Sequence, residues 1–278
     1  MFEHLVKGRR APCFEVLSSQ VQIITEPQDY YLALHKLAND AEHRISMTAL
    51  YLGTGKLEKY LVEKLQAKLQ KNDQLKLTFL QDYMRGTRIG RDGESSLSMV
   101  KGLKLNNFNR EVRCGFYHNP DTGILKGKFS QGPMREVFGV HHMKAHVFDN
   151  NLLITGANLS EDYFTDRQDR CIVVQDCEPL ADYFHDLIQI LSDCSYQICD
   201  TGELKMLPNY QDSWKKAAKF REQMSHHLKY FRFSHKTEIG TQSNLQLDEF
   251  FDPPPLELEN HEEHHLLTSG ARPFKGHS

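Results

Sequence analysis

The chain is poor in several features that mark whole classes of protein. No apolar run approaches the roughly 18 residues that a membrane-spanning helix needs, so any membrane contact is expected to be surface docking rather than insertion. An excess of positive charge is also missing. Lys and Arg number 34 against 37 Asp and Glu, a formal net charge of −3, and the pI is about 6.6. Nonspecific nucleic-acid binding rests on the opposite balance, and no nucleic-acid partner is expected. The six cysteines, at 13, 114, 171, 177, 194 and 199, include no C-x-x-C pair, so zinc and thiol-redox spacings are absent. All six read as reduced, with Cys114 and Cys171 inside strand-like runs as small apolar residues. The first residues, MFEHLVKGRRAPCF, carry Lys7, Arg9 and Arg10 but also Glu3. They lack the long Arg/Ser-rich amphipathic stretch of a transit peptide.

What is present is a regular alternation. Short apolar runs at 21–25, 44–52, 75–80, 112–117 and 171–174 read as strands. Residues 28–43 read as a helix on the spacing of Tyr31, Leu32, Leu34, Leu37 and Ala38. Another follows on Leu57, Tyr60, Leu61, Leu65 and Leu69. A third, over 178–191, places Leu180, Tyr183, Phe184, Leu187, Ile188 and Leu191 on one face. This order predicts an α/β fold with a sheet flanked by helices. The expected organisation is an N-terminal segment over 1–12, a main domain over 13–200, a partly helical extension over 201–240 with its helix at 211–229, and a disordered tail over 241–278. The tail is rich in Asn, Glu, His and Pro and can bury little. Its His261, His264 and His265 are read as solvated, and no metal site is expected.

Chemistry concentrates in HMKAHVFDNNLLITGANLSEDYFTDRQDR, residues 142–170. His142, Lys144 and Asp149 have the spacing H-x-K-x-x-x-x-D. If 142–149 is a strand, residues two apart share a face, so His142 and Lys144 could hold one phosphoryl group between them. The imidazole can attack phosphorus or protonate a leaving oxygen; the ammonium can neutralise the non-bridging oxygens. Asp149 has the other parity and sits beside Asn150-Asn151, so it is expected to brace a hairpin turn. The returning strand Leu152-Leu153-Ile154 would bring Asn158 beside His142 as a hydrogen-bond donor. Asp169 would accept from the second imidazole nitrogen and fix the tautomer. His227-Leu228-Lys229 repeats H-x-K, but position 234 is Ser and no Gly-x-Asn turn follows; this match is read as chance.

Three weaker features lie outside that stretch. Gly53-Thr54-Gly55 follows a strand and could offer backbone N–H groups to a phosphate. It lacks the Gly-Lys-Ser/Thr ending of a P-loop, so ATP binding has only slight support. Arg85 and Arg88 follow the next strand, where α/β folds place ligand loops, and their guanidinium groups suit phosphate. Lys126, Lys128, Phe129 and Arg135 could touch an anionic head group or a membrane surface. His118 reads as structural.

The residues 142–170, with the runs Gly156-Ala157-Asn158-Leu159-Ser160 and Arg167-Gln168-Asp169-Arg170, resemble the first catalytic motif of the eukaryotic mitochondrial phosphatidylglycerophosphate synthases of the phospholipase D superfamily. Leu50–Gly55 and Asp82–Arg88 resemble the same family, and the likeness runs in order over about residues 10–200. It implies a phospholipase D-like sandwich, a mixed sheet flanked by helices. The implied reaction transfers a phosphatidyl group from CDP-diacylglycerol to glycerol 3-phosphate, with release of CMP, on the route to cardiolipin. The implied mechanism passes through a phosphohistidine and requires no cofactor. His142, Lys144 and Asp149 become catalytic by the resemblance, with Asn158 and Asp169 in support. The family carries a second H-x-K motif that this chain lacks. The chain therefore reads as one catalytic half, completed by a homodimer or by a missing C-terminal half. A peripheral site on the mitochondrial inner membrane is implied too. Two rival readings are a dimeric phosphodiesterase or nuclease, and a non-catalytic fragment that binds lipid or nucleotide.

Overall fold

The structure, a computed structural model, describes residues 12–107, 109–120 and 140–235. In chain order the elements are β1 (Val21–Ile24), α1 (Pro27–Asp40), β2 (Arg44–Ala49), α2 (Lys56–Lys71), β3 (Lys76–Asp82), the short α3 (Tyr83–Gly86), α4 (Ser96–Leu105) and β4 (Val112–Tyr117). Then follow β5 (Ala145–Phe148), β6 (Asn151–Thr155), the short α5 (Glu161–Thr165), β7 (Cys171–Val174), α6 (Glu178–Asp193), β8 (Tyr196–Ile198), β9 (Leu204–Met206) and α7 (Ala217–Ser234). The described strands form one mixed sheet in the order β1-β7-β6-β5-β2-β3-β4-β8-β9. Strands β2, β3 and β4 run parallel, as helical crossovers require, and the other pairings are antiparallel. This is the mixed, helix-flanked sheet expected from the sequence.

The parity of each strand divides the core into two layers. Met47, Phe79, Cys114 and Leu153 face α1, α2 and α4, whose Leu34, Leu61, Leu65, Val100 and Leu103 are buried in the same cluster. Leu80, Ala145, Val147 and Leu152 point the other way and pack on Ala181 and Ile188 of α6. Fully burying a Leu or Phe side chain is worth about 2 kcal/mol, so both layers contribute strongly. Beyond α6, Ile23, Ile172 and Ile154 are cross-strand neighbours on this second face and remain 70%, 41% and 37% exposed.

Several boundaries differ from expectation for local reasons. The sheet continues past residue 200, where the main domain was expected to end, because β8 and β9 pair across it with Ile198 opposite Leu204. The helix expected at 211–229 begins instead at Ala217. Ahead of it, the Asp212 carboxylate accepts the N–H groups of Trp214 and Lys215, 2.9 and 2.8 Å away, and holds a turn. Phe220 and Met224 on α7 then pack against Cys194, so the extension belongs to the core. Among the described residues no disulfide joins the six cysteines. The loop with Lys126 and Arg135 and the tail over 241–278 lie outside the described residues.

Helix α1 stops at Asp40 rather than at residue 43 because of Asp149. Its carboxylate accepts from the backbone N–H groups of Glu42, His43 and Arg44 at 2.7, 2.8 and 2.9 Å, which a continuing helix would have used. Asp149 itself opens the two-residue turn between β5 and β6 with φ at 50°, a left-handed conformation that Asp tolerates. The expected turn and its bracing role are both present. Partial burial pushes the Asp149 carboxyl up, but the three N–H donors outweigh it and its pKa lies below the ordinary value. A depressed carboxyl pKa stabilises the fold above the unfolded pKa, and that contribution is lost as pH falls through the folded one. Asp149→Ala is therefore expected to cost about 2 kcal/mol near neutral pH, a value already discounted for solvent screening. The deficit should shrink in acid. Urea titrations at neutral pH and at about pH 3 test this; a deficit that stays constant between them would contradict the role.

Candidate active site

Residues 141–144 form an extended run that leads into β5 without belonging to it. The expected strand thus begins three residues late. The pairing nevertheless reaches one step beyond it, since the Thr155 N–H donates to the Lys144 carbonyl at 3.2 Å. His142 lies at the open end of the sheet and is exposed, whereas Lys144 is only 4% exposed. The two side chains share a side as anticipated. Lys144 Nζ lies 3.1 Å from His142 Nδ1 and donates to the His142 carbonyl at 3.0 Å.

This contact sets the resting state of the pair. With Lys144 as an ammonium, Nζ donates and Nδ1 accepts, so the ring proton sits on Nε2. Burial, and then the Lys144 charge, lower the pKa of His142. Burial also pushes the Lys144 ammonium down to about 8, against the opposing pull of Asp169. The imidazole is therefore neutral at pH 7, and its Nδ1 lone pair is covered by the Lys144 ammonium.

Asp169 comes close to the pair by way of Gly156. A Cβ at Gly156 would meet both Asp169 carboxylate oxygens at 2.6 Å, so the small residue makes room for the carboxylate. The expected hydrogen bond from the second imidazole nitrogen is not formed among the described residues. Asp169 accepts instead from the Arg170 N–H at 2.7 Å, and it reaches the site through its charge on Lys144. Asn158 is buried, and its Oδ1 has no hydrogen-bond partner among the described residues. It makes no hydrogen bond to His142. A buried acceptor without a partner is costly.

The remaining candidates make contacts of their own. The Gly53 N–H donates to the Leu159 carbonyl at 2.8 Å. A Cβ at Gly55 would meet Glu161 Oε2 at 2.6 Å and Glu58 Oε2 at 2.7 Å. Glu58 also accepts from the Glu161 N–H at 2.6 Å. Carboxylates thus line the Gly53-Thr54-Gly55 turn on the side where a phosphate cradle was considered, and its observed role is to join α2 to the 156–161 stretch. Arg85 lies over the Tyr51 ring at 5.0 Å, and Arg88 is exposed on the loop beyond α3. His118 is buried against Trp214, with Nδ1 3.2 Å from Ser213 Oγ, as its structural reading anticipated. His227 and Lys229 fall on α7, where residues two apart do not face each other.

Sequence reasoning missed Asp82, Thr48 and His141. Asp82 Oδ2 accepts from the His141 N–H at 2.9 Å, and His141 Nε2 contacts Thr48 Oγ1. The available signals were the His141-His142 doublet and, for Asp82, its place at the head of the Asp82–Arg88 stretch. His146 was missed as well. It is fully buried, with neither ring nitrogen hydrogen-bonded among the described residues, and its pKa falls to about 3 through burial and the nearby Lys144.

No protein-family model matches the chain. Among curated proteins, it is 40% identical over 190 residues to a probable CDP-diacylglycerol–glycerol-3-phosphate 3-phosphatidyltransferase of Dictyostelium discoideum, covering 68% of this chain and 32% of that protein. It is 37% identical over 193 residues to the human mitochondrial CDP-diacylglycerol–glycerol-3-phosphate 3-phosphatidyltransferase, covering 67% of this chain and 34% of the human protein. The chain is a homologue of part of these phosphatidyltransferases. It spans about a third of the length of the curated relatives it matches. Among solved structures, the crystal structure of phosphatidylserine synthase from Haemophilus influenzae superposes with a TM-score of 0.55 at 19% identity, over 79% of this chain and 45% of that one. That likeness is one of fold, and it agrees with the expected phospholipase D-like sandwich.

Proposed function

We propose that this chain supplies one half of a phosphatidyl-transfer site, with CDP-diacylglycerol as donor and glycerol 3-phosphate as acceptor. The observation that carries the reading is the His142–Lys144 contact at 3.1 Å, in a chain homologous to proteins named for that reaction. Lys144 turns from His142 to a non-bridging phosphate oxygen, and this uncovers Nδ1. His142 then attacks the phosphorus that bears the diacylglycerol. A P–N bond forms, the bond to the bridging oxygen breaks, and CMP leaves. The hydroxyl of glycerol 3-phosphate passes its proton to the second histidine and attacks the phosphohistidine; the P–N bond breaks, giving phosphatidylglycerophosphate and restoring the imidazole. Lys144 offsets charge on the pentacovalent transition state, with the Asn158 amide N–H in support. Asp149 and Asp169 act on the scaffold and on the Lys144 charge. The second histidine, as general acid, comes from a completing half. No ATP and no metal enters this sequence of steps.

We place the reaction at the surface of the mitochondrial inner membrane, on the route to cardiolipin. Relatives carry the word mitochondrial in their names, and no described helix is long and apolar enough to cross a membrane. The nuclease reading has no observation in its favour. The test is incorporation of labelled glycerol 3-phosphate into lipid, with CDP-diacylglycerol in detergent micelles. Incorporation by the chain alone means that two copies pair. Incorporation only after a polypeptide with a second H-x-K motif is added means a mixed site. Failure of the folded chain in both formats would overturn the proposal.

A further inference from the structure

Not all of the residues that fix His142 in space belong to the H-x-K-x4-D pattern. Strands β2 and β3 run parallel and end side by side, with Thr48 opposite Leu80 and Ala49 opposite Gln81. Asp82, at the end of β3, is 1% exposed. Its Oδ1 accepts from the Arg85 N–H at 2.9 Å, and its Oδ2 accepts from the His141 N–H at 2.9 Å. His141 then turns its ring toward β2, where Nε2 contacts Thr48 Oγ1. Thr48 and His141 are buried as well, at 0% and 7% exposure. The next residue in the chain is His142. Two residues further, the Lys144 carbonyl is tied to the Thr155 N–H. The run 141–144 is thus pinned at both ends, and the reactive imidazole is carried on the short span between.

We infer that Asp82, His141 and Thr48 are positioning residues that hold His142 against Lys144, an inference that rests on the phosphatidyl-transfer reading for its catalytic consequence. A buried carboxylate that spends both oxygens on backbone N–H groups fixes direction as well as distance. The His141–Thr48 contact removes the remaining freedom, which is rotation of the run about the Asp82 bond. His141 stays neutral, with its pKa pushed down to about 4 by burial and by the Lys144 and His142 charges, so the brace adds no charge that would compete for the phosphate. His142 needs such support because its side chain is exposed and its one side-chain hydrogen bond among the described residues is to the Lys144 ammonium. A displacement of about 1 Å at a reacting group can cost about a hundredfold in rate.

The test compares Thr48→Val, which keeps the shape and loses the hydroxyl, with Thr48→Ser, which keeps the hydroxyl. Asp82→Asn is the second probe, because an amide has one acceptor oxygen and must release one of the two N–H groups. The first readout needs no substrate. The rate of His142 modification by diethyl pyrocarbonate is followed across pH by peptide mass spectrometry. In Thr48→Val and Asp82→Asn the midpoint for His142 should rise toward the free-imidazole value as Lys144 loses its fixed place beside the ring, and Thr48→Ser should match the parent. The second readout is turnover in the completed site. Thr48→Val is expected to lose about 10- to 100-fold in kcat with KM within about twofold, and Thr48→Ser to recover it. Folded Thr48→Val and Asp82→Asn proteins with the parent midpoint would overturn the inference, even if their Tm had fallen. If the parent itself shows no turnover, the phosphatidyl-transfer reading fails, and the modification profile still decides the positioning role.

Discussion

Alanine at position 142 is expected to lower phosphatidyl transfer by about four to six orders of magnitude, the loss seen when a nucleophile is removed from a site that acts as a unit. The fold should survive. The His142 side chain is exposed, and among the described residues its ring is hydrogen-bonded only to Lys144. The backbone around it is held by the neighbouring residues, through the His141 N–H and the Lys144 carbonyl. Tm should therefore move by no more than a degree or two, since surface substitutions typically fall within about 0.5 kcal/mol. The check is turnover in the completed site beside a thermal melt. Parent-like turnover in a folded His142→Ala protein would remove the assignment. A collapse of Tm would show instead that the imidazole holds the structure together.

Loss of the Lys144 ammonium should have the next largest effect. Lys144→Ala is expected to cost about 10³-fold in kcat, the scale on which a single group that stabilises transition-state charge is felt. The same residue shapes the pH profile. Turnover needs a neutral His142 and a charged Lys144. The His142 pKa is lowered, so the imidazole is already neutral above about 6.5. The Lys144 pKa is lowered to about 8, and its charge is lost as pH rises through that value. The rate should thus rise with pH on an acid limb below 6.5 and fall on an alkaline limb near 8. Arg cannot be deprotonated in this range, so Lys144→Arg should remove the alkaline limb while lowering the plateau. An alkaline limb that persists unchanged in Lys144→Arg would assign it to another group.

Much of this arrangement is legible in the residues themselves, and the illegible part has a common cause. The strands β1 to β4 and the helices α1 and α2 follow from apolar spacing, because each helix face and each strand must bury its own stripe. The His142–Lys144 juxtaposition follows from a spacing of two in extended backbone, and it survives although the run lies outside the strand. Asp149 as a turn brace follows from its parity and from the two asparagines after it. The Asp82–His141–Thr48 brace could not be found in the same way. Its members are 34 and 59 residues apart and meet because parallel strands end at the same level; no local pattern encodes that meeting. The Asp169 contact was misplaced for a related reason. The sequence brings its carboxylate near the motif, but a hydrogen bond depends on side-chain direction, and there Lys144 takes the nitrogen that Asp169 was expected to orient. The Gly53-Thr54-Gly55 turn looks like a phosphate cradle until Glu58 and Glu161 are seen beside it.

The central claim is that His142 is the nucleophile, and the most direct measurement is to catch it on the way. The completed site is mixed with CDP-diacylglycerol labelled in the diacylglycerol-bearing phosphate, without glycerol 3-phosphate, quenched in base and digested. The account predicts label on the peptide containing His142, stable to base and lost in acid as a phosphoramidate should be, and discharged when glycerol 3-phosphate is added before the quench. Active protein with no label on His142, or with label on another histidine only, would contradict it.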